Sequence, residues 1–225
     1  TLDEKVGQMI MAEIHAVSPN DLRNYHLGAV LNAGGSWPNG NKSSSVADWV
    51  SLADSFYLAS IYPANNRTAV PILWGTDAVH GHNNVMGATI FPHNIGLGAT
   101  GNAQLVQEAA AITAKEAQAT GFNWTFSPCI AIPYNEKWGR VYEGFSESTE
   151  LTQKLVKASV KGLQVELSDN STVMATAKHF IGDGSTDFGI EGGSTSISMK
   201  EVYKRLMPPY RTAVEEGVGA VMVSF

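Results

Sequence analysis

Short apolar runs alternate along the chain with longer segments in which apolar residues recur every three to four positions. Such runs are typical of buried strands, and the wider spacing is typical of amphipathic helices. The predicted strands are residues 28–33, 71–79, 122–130, 173–180 and 219–225. The predicted helices are residues 3–11, 44–62, 102–120, 146–167 and 198–216. This alternation predicts parallel βαβ connections, and therefore either a doubly wound sheet or a (β/α) barrel.

Polar side chains at the ends of the predicted strands favour one of these two folds. Asp77 follows the second strand, Arg140 lies beyond the third, and Lys178 and His179 end the fourth. A doubly wound sheet concentrates its site at one switch point, whereas a barrel draws site residues from many strand ends. We therefore predict an α/β fold of the (β/α)8 TIM-barrel type.

The number of predicted strands indicates an incomplete barrel. A closed barrel needs eight strands and typically ~250 residues, whereas this chain of 225 residues provides about five strand–helix units. We expect residues 1–225 to be the amino-terminal part of a barrel domain. The remaining strands and a second domain, against which this part packs, are expected downstream of Phe225.

Composition and charge narrow the range of partners. The chain is 44% hydrophobic and 16% charged, with a formal net charge of -6, which is typical of an ordinary globular protein. No stretch gathers five or six like charges, so neither nucleic acid nor an anionic membrane surface is an expected partner. No apolar run approaches the ~18 to 20 residues of a membrane span. Cys129 is the only cysteine, which excludes an intrachain disulfide.

The densest polar cluster follows the second predicted strand. It contains Asp77, His80, His82, Asn83 and Asn84 among small residues. Acceptors and donors at the end of an apolar strand suit a pocket that binds sugar hydroxyls. A strand-to-helix loop capped by Asp77 is the structural alternative, but it does not explain why five such residues occur together.

Two further segments carry candidate chemistry. Lys178 and His179 end a buried strand, where basic side chains are costly to desolvate unless they are paired. Arg140 lies between Trp138 and Tyr142. It offers a fixed fork of donors, although arginine beside aromatic rings is also a common surface packing arrangement.

Glycoside hydrolysis usually requires two carboxylates that flank the scissile bond. The sequence alone nominates Asp77 and Asp183 for these roles. Trp74, Trp124 and Trp138 are candidates either for a platform on which a pyranose ring stacks or for the core.

Three segments of the chain carry a family resemblance. Residues 75–100 (GTDAVHGHNNVMGATIFPHNIGLGAT), 123–147 (NWTFSPCIAIPYNEKWGRVYEGFSE) and 175–184 (ATAKHFIGDG) resemble the amino-terminal barrel domain of glycoside hydrolase family 3. The similarity is strongest to β-glucosidases and exo-β-glucanases. It implies that Asp77, Arg140, Lys178 and His179 hold the hydroxyls of the nonreducing terminal glucose. Phe225 aligns with an aromatic residue at the pocket wall.

The resemblance also implies the reaction. It indicates release of terminal glucose from β-glucosides or β-glucan oligosaccharides with retention, without a cofactor or metal ion, by a periplasmic or secreted protein. The nucleophilic Asp and the acid/base are expected downstream of Phe225, so residues 1–225 alone are expected to be inactive. Asp77 then orients sugar, and Asp183 becomes a supporting group.

Three other functions are open at this point. A branch of the same family cleaves N-acetylglucosaminides with a His in the loop after its Lys-His pair, but this chain has no His after His179. A metal-dependent amidohydrolase could use His80, His82 and Lys178, although zinc requires three or four correctly spaced ligands. A noncatalytic carbohydrate-binding fragment is the third alternative.

Overall fold

Six parallel strands organise the part of the chain that the computed structural model describes, which is residues 1–32, 34–64, 67–164 and 172–225. Their bounds are β1 Met11–Glu13, β2 Ala29–Asn32, β3 Leu73–Thr76, β4 Trp124–Thr125, β5 Thr176–Phe180 and β6 Ala220–Val223. Strands β1 to β4 pair in chain order, and β5 pairs with β6. Parallel bridges Trp124–Met174 and Cys129–Lys178 connect these two groups. Strand order therefore follows chain order, as in a (β/α) barrel.

Helices occupy the connections between the strands. Their bounds are α1 Leu2–Gln8, α2 Pro19–Tyr25, α3 Val46–Ile61, α4 Asn94–Ala99, α5 Ala103–Ala119, α6 Thr149–Leu163, α7 Met199–Glu201 and α8 Met207–Glu215. A π-helical turn, Val202–Leu206, joins α7 to α8. Asn102 caps α5 by accepting from the N–H groups of Gln104 and Leu105. None of the described helices combines the length and apolarity needed to cross a bilayer.

All five predicted strands are found, but two are much shorter than predicted: 71–79 contains only Leu73–Thr76 and 122–130 only Trp124–Thr125. The predicted helix over residues 3–11 is also too long. It ends at Gln8, and β1 begins at Met11. This strand of Met, Ala and Glu contains no β-branched residue, so its strand character comes from pairing with β2. Helices α2 and α4 were not predicted. Predicted elements that extend to Ala33 and to residues 165–167 end outside the described residues.

The larger core cluster contains aromatic rings that contact one another. Trp74 lies 4.9 Å from Phe122, 5.7 Å from Phe56 and 6.3 Å from Trp49 between ring centroids. Trp74 and Trp138 are both buried. For these two tryptophans the sugar-platform interpretation is therefore wrong and the core interpretation is confirmed. Trp124 is partly buried, and its indole N–H donates to Thr176 Oγ1 at 2.7 Å.

Candidate functional site

Asp77 and Lys178 form an ion pair at the carboxyl ends of two strands. Asp77 follows β3 directly, and Lys178 lies in β5. Lys178 Nζ is 2.7 Å from Asp77 Oδ1, and the Lys178 side chain is only 4% exposed. A buried ammonium of this kind needs a counterion. The Asp77 side chain is 41% exposed, so this carboxylate can still accept further hydrogen bonds.

Arg140 is held by two carboxylates. Its Nε and Nη2 donate to the two oxygens of Glu143 at 2.7 and 2.9 Å, and its Nη1 donates to Glu191 Oε1 at 3.0 Å. The hydrogen bonds with Glu143 raise the pKa of Arg140 above its usual value. The bidentate pair fixes the plane of the guanidinium, so its orientation is set before any ligand arrives.

Arg140 also contacts His179, the neighbour of Lys178 in β5. Arg140 Nη2 is 3.2 Å from His179 Nε2. Because a guanidinium can only donate, His179 Nε2 accepts, and the ring proton belongs on Nδ1. The contact brings the third and fourth predicted strand ends together and sets the tautomer of the histidine.

Asp183 and Tyr210 hold His179 from the other side. His179 Nδ1 lies 2.8 Å from Asp183 Oδ2, although the two atoms lack the alignment of a hydrogen bond. Tyr210 donates its hydroxyl to the backbone oxygen of His179 at 2.6 Å. Burial raises the pKa of Tyr210 well above its usual value, so the phenol remains a donor. Asp183 is buried beside this ring, and its supporting role stays a prediction.

The turn that carries Asp183 packs closely on the segment after β4. A Cβ at Gly184 would lie 2.1 Å from the backbone oxygen of Ile132. Only glycine permits this approach. The Gly-Asp-Gly sequence thus places the Asp183 carboxylate against His179.

Phe225 lies apart from these contacts. Its side chain is fully exposed. The preceding residue, Ser224, donates its N–H to the backbone oxygen of Phe180, which places Phe225 beyond the carboxyl end of β5. The predicted role at a pocket wall stays a prediction.

The predicted cluster after β3 is mostly structural. His82 is fully buried and bonds to Thr120 Oγ1 at 2.7 Å, and burial lowers its pKa to about 4. Asn83 accepts from the Val79 N–H, and Asn84 donates to Thr76 Oγ1 and to the Asp77 backbone oxygen. The expectation that His82 lines a sugar pocket together with Asp77 is therefore wrong, because its ring is fully buried. For Asn83 and Asn84, which are partly exposed, that role stays a prediction.

His80 makes contacts of another kind. Its Nδ1 lies 3.0 Å from the Phe91 backbone oxygen, and its ring stacks on His93 with centroids 3.9 Å apart. Its neighbour in the predicted metal motif, His82, is committed to Thr120. Within the described ranges, no three His, Cys, Asp or Glu side chains are placed to hold a metal ion.

Three residues that hold the site were not predicted: Glu143, Glu191 and Asn94. Asn94 donates to the backbone oxygens of Cys129 and Glu143 at 3.2 and 2.9 Å. The spacing of Arg140 and Glu143 by three residues is a local signal that could have indicated their pairing. Glu191 lies 51 residues from Arg140, and no sequence spacing indicates that contact.

Comparison with known proteins identifies the family of this chain. A family model described as the Glycosyl hydrolase family 3 N terminal domain matches residues 1–225. The chain belongs to this family. Its glycosyl hydrolase family 3 sequence is 29% identical over 230 residues to the periplasmic beta-glucosidase of Salmonella typhimurium, a match that covers 100% of this chain and 27% of that protein.

Solved structures confirm the fold class of this glycosyl hydrolase family 3 domain. The exo-1,3/1,4-beta-glucanase (ExoP) from a Pseudoalteromonas species matches with a TM-score of 0.95 at 42% identity, over 100% of this chain and 29% of that chain. A beta-glucosidase from Listeria innocua, solved in complex with isofagomine, matches with a TM-score of 0.81 at 28% identity, over 100% of this chain and 30% of that one. The chain therefore spans 27–30% of the length of these three proteins.

Proposed function

We propose that the protein containing this chain hydrolyses β-glucosidic bonds and releases the nonreducing terminal glucose with retention of configuration. One observation carries the proposal: Asp77 pairs with Lys178 while Arg140 contacts the adjacent His179. The paired charges offer both acceptors and donors to a neutral sugar. Membership of glycosyl hydrolase family 3 and the similarity to named β-glucosidases support it.

Each of the four residues has a distinct task in this proposal. Asp77 accepts hydrogen bonds from two sugar hydroxyls through its exposed carboxylate. Lys178 and Arg140 donate to hydroxyl oxygens from fixed positions, because each is anchored by a carboxylate. His179 contacts the same sugar through the edge of its ring that lies beside Arg140. Charge-assisted bonds of this kind are roughly twice as strong as neutral ones. Phe225 forms part of the pocket wall.

The catalytic carboxylates belong, in this proposal, to segments outside residues 1–225. A retaining glycosidase requires two carboxyl groups ~5 to 5.5 Å apart, one of which attacks the sugar while the other transfers protons. Asp77 is ion-paired with Lys178, and Asp183 is buried against His179, so both are poor candidates. Residues 1–225 alone would bind glucose without hydrolysing its glycosides.

The fold around this site is, we propose, the amino-terminal part of a longer barrel domain. The relatives extend well beyond the matched region. Val214, Val221 and Val223 are exposed on α8 and β6, and they offer an apolar surface against which further segments of the protein can pack.

The proposed substrates are β-glucosides and β-glucan oligosaccharides, and the proposed location is periplasmic or secreted. A relative named as a periplasmic beta-glucosidase supports the location.

Activity measurements on the protein that contains this chain test the proposal. We expect hydrolysis of an aryl β-glucoside to be faster than hydrolysis of an aryl N-acetyl-β-glucosaminide. Arg140→Ala should lower kcat/KM for the glucoside, while Arg211→Ala, at an exposed arginine of α8, serves as the matched control. Hydrolysis of the glucosaminide alone, or a fully active Arg140→Ala variant, would overturn the assignment.

A further inference from the structure

A cavity lies in the loops that follow β4 and β5. Its volume is about 470 Å³. Its lining includes Tyr134, Asn135, Asp187, Phe188, Ser196 and Glu201, and we call it the outer cavity. Loops after the strands of a (β/α) barrel form the face on which active sites lie. The volume falls within the ~300 to 1,000 Å³ range of small-molecule sites.

The loop that forms the outer cavity also serves the candidate site. Asp183, beside His179, and Glu191, bound to Arg140, flank the cavity residues 185–188 on either side in the chain. The cavity residues 185–188 are therefore joined through the same loop to the two carboxylates that contact His179 and Arg140.

Hydrogen bonds fix the walls of the outer cavity in place. Asn135 donates its N–H to the Gly184 oxygen and its side-chain amide to the Thr186 oxygen, each at 2.8 Å. Asp187 Oδ1 accepts from the N–H and the hydroxyl of Ser196, at 3.1 and 2.8 Å. These bonds tie the segment after β4 to both arms of the loop after β5, so the cavity is formed without a ligand.

Two aromatic rings border the outer cavity. Phe188 is 79% exposed and has a positive φ of 60°, a conformation that is uncommon for a bulky residue. Tyr134 is also exposed, and the guanidinium of Arg205 lies over its ring at 4.6 Å. Exposed aromatic faces beside polar groups suit a ring that is apolar on one face and hydroxylated at its edge.

The charges of the outer cavity narrow the ligand chemistry. Its lining contains three acidic residues and no basic one, which disfavours an anionic ligand. In the described part of the chain, the carboxylates of Glu136 and Glu201 make no hydrogen bond or ion pair, and no acidic cluster is placed to hold a metal ion. Thr186 also lines the cavity, and its buried hydroxyl lacks a hydrogen-bond partner among the described residues. Unused acceptors beside aromatic rings suit hydroxyl groups.

We propose that the outer cavity is a second sugar-binding site, in which a neutral glucosyl unit stacks on Phe188 and donates hydroxyls to the carboxylates. The inference rests on the proposed function, because it assumes a glucan substrate. The glucosyl unit belongs either to the substrate whose terminal sugar is being cleaved or to a neighbouring glucan chain.

The test compares a long and a short substrate in the full-length protein. We expect Phe188→Ala to lower the ratio of kcat/KM for a β-1,3-linked glucotetraose to kcat/KM for an aryl β-glucoside by about threefold to tenfold. Glu136→Ala should lower the same ratio. Phe188→Tyr keeps the ring and should keep the ratio, and Tyr57→Ala, at an exposed tyrosine of α3, is the control.

A binding measurement separates this inference from the proposed function. Calorimetric titration with a thio-linked β-1,3-glucotetraose, which resists hydrolysis, requires no turnover, and Phe188→Ala should weaken it by a similar factor. If the thio-linked tetraose binds in a Phe188-dependent way but the wild-type protein does not hydrolyse the aryl β-glucoside, the outer sugar site would be supported and the proposed function contradicted. If Phe188→Ala changes kcat/KM only for polymeric glucan, the bound glucosyl unit belongs to a neighbouring glucan chain. The outer sugar site would be overturned if the wild-type protein hydrolyses the glucoside while Phe188→Ala and Glu136→Ala both keep the wild-type kcat/KM ratio and the wild-type affinity for the thio-linked tetraose.

Discussion

Lys178 Nζ lies 2.7 Å from Asp77 Oδ1, although 101 residues separate the two in the chain. The pair joins the ends of β3 and β5, on either side of β4. It gives the almost fully buried ammonium group of Lys178 a counterion. The exposed part of the Asp77 carboxylate remains available to a ligand.

Asp77→Ala in the full-length protein should reduce kcat/KM for an aryl β-glucoside by ~10²- to 10⁴-fold, since two charge-assisted hydrogen bonds are lost. The buried ammonium of Lys178 also loses its counterion. Steady-state kinetics measure the loss. Asp54→Ala, at an exposed carboxylate of α3, is the matched control. Near-normal kinetics for Asp77→Ala would remove this residue from the site.

Glu143→Gln should raise KM for the same substrate about tenfold, because the amide cannot hold the guanidinium of Arg140 in a bidentate ion pair. Arg140 remains in contact with Glu191 and His179, so the fold should be kept. Circular dichroism checks the fold, and Glu147→Gln, at an exposed glutamate, is the control. An unchanged KM would show that Glu143 does not position Arg140.

His82 should make the protein less stable as the pH falls from 6.5 to 4. The Thr120 hydroxyl donates hydrogen bonds to backbone oxygens of α5, so Thr120 Oγ1 accepts from His82 Nε2. The buried Nδ1 of His82 has no hydrogen-bond partner among the described residues. Burial lowers the pKa of His82 from 6.5 to about 4. Between these values the unfolded chain binds more protons than the folded one, so stability rises with pH.

The free energy of unfolding should therefore fall by about 2 kcal/mol between pH 7 and pH 5 through His82 alone. Denaturant titrations at the two pH values should show a smaller fall in His82→Gln than in the wild-type protein. Ring NMR of labelled histidines checks the cause directly. A midpoint for His82 near 6.5 would contradict the account.

Gly98→Ala should destabilise the fold by ~1 to 3 kcal/mol, because an added methyl group forces backbone shifts in a packed region. A Cβ at Gly98 would lie 1.7 Å from the backbone oxygen of Phe145, where α4 meets the segment that carries Glu143. Thermal unfolding measures the effect. Gly35→Ala, where an added Cβ meets nothing within 4 Å, should leave stability unchanged. Equal stability of the two variants would contradict the close packing of α4.

The sequence predicts the fold well wherever one residue run determines one element. The apolar runs of β2 to β6 are found in this way, whereas β1 is three residues long and depends on its partner strand. Helix α4 was missed because its sequence, NIGLGA, contains two glycines that lower its helix propensity.

In the candidate site, too, features that belong to one residue run were predicted and contacts between distant segments were not. Lys178 and His179 stand out in the sequence because basic residues seldom end a buried strand. Contacts between distant segments carry no such signal: His82 was predicted in the pocket, and only its contact with Thr120, 38 residues away, explains its burial. Glu191 reaches Arg140 only through the fold of a loop.

Proton NMR of the sugar first formed from an aryl β-glucoside tests the central claim most directly. The full-length protein, with its intact Asp77–Lys178 and Arg140–His179 contacts, should release β-glucose, since a retaining mechanism preserves the configuration of the anomeric carbon. The β-anomer signal should appear first and then decline as mutarotation proceeds. α-Glucose as the first product, or no release of glucose, would contradict the account.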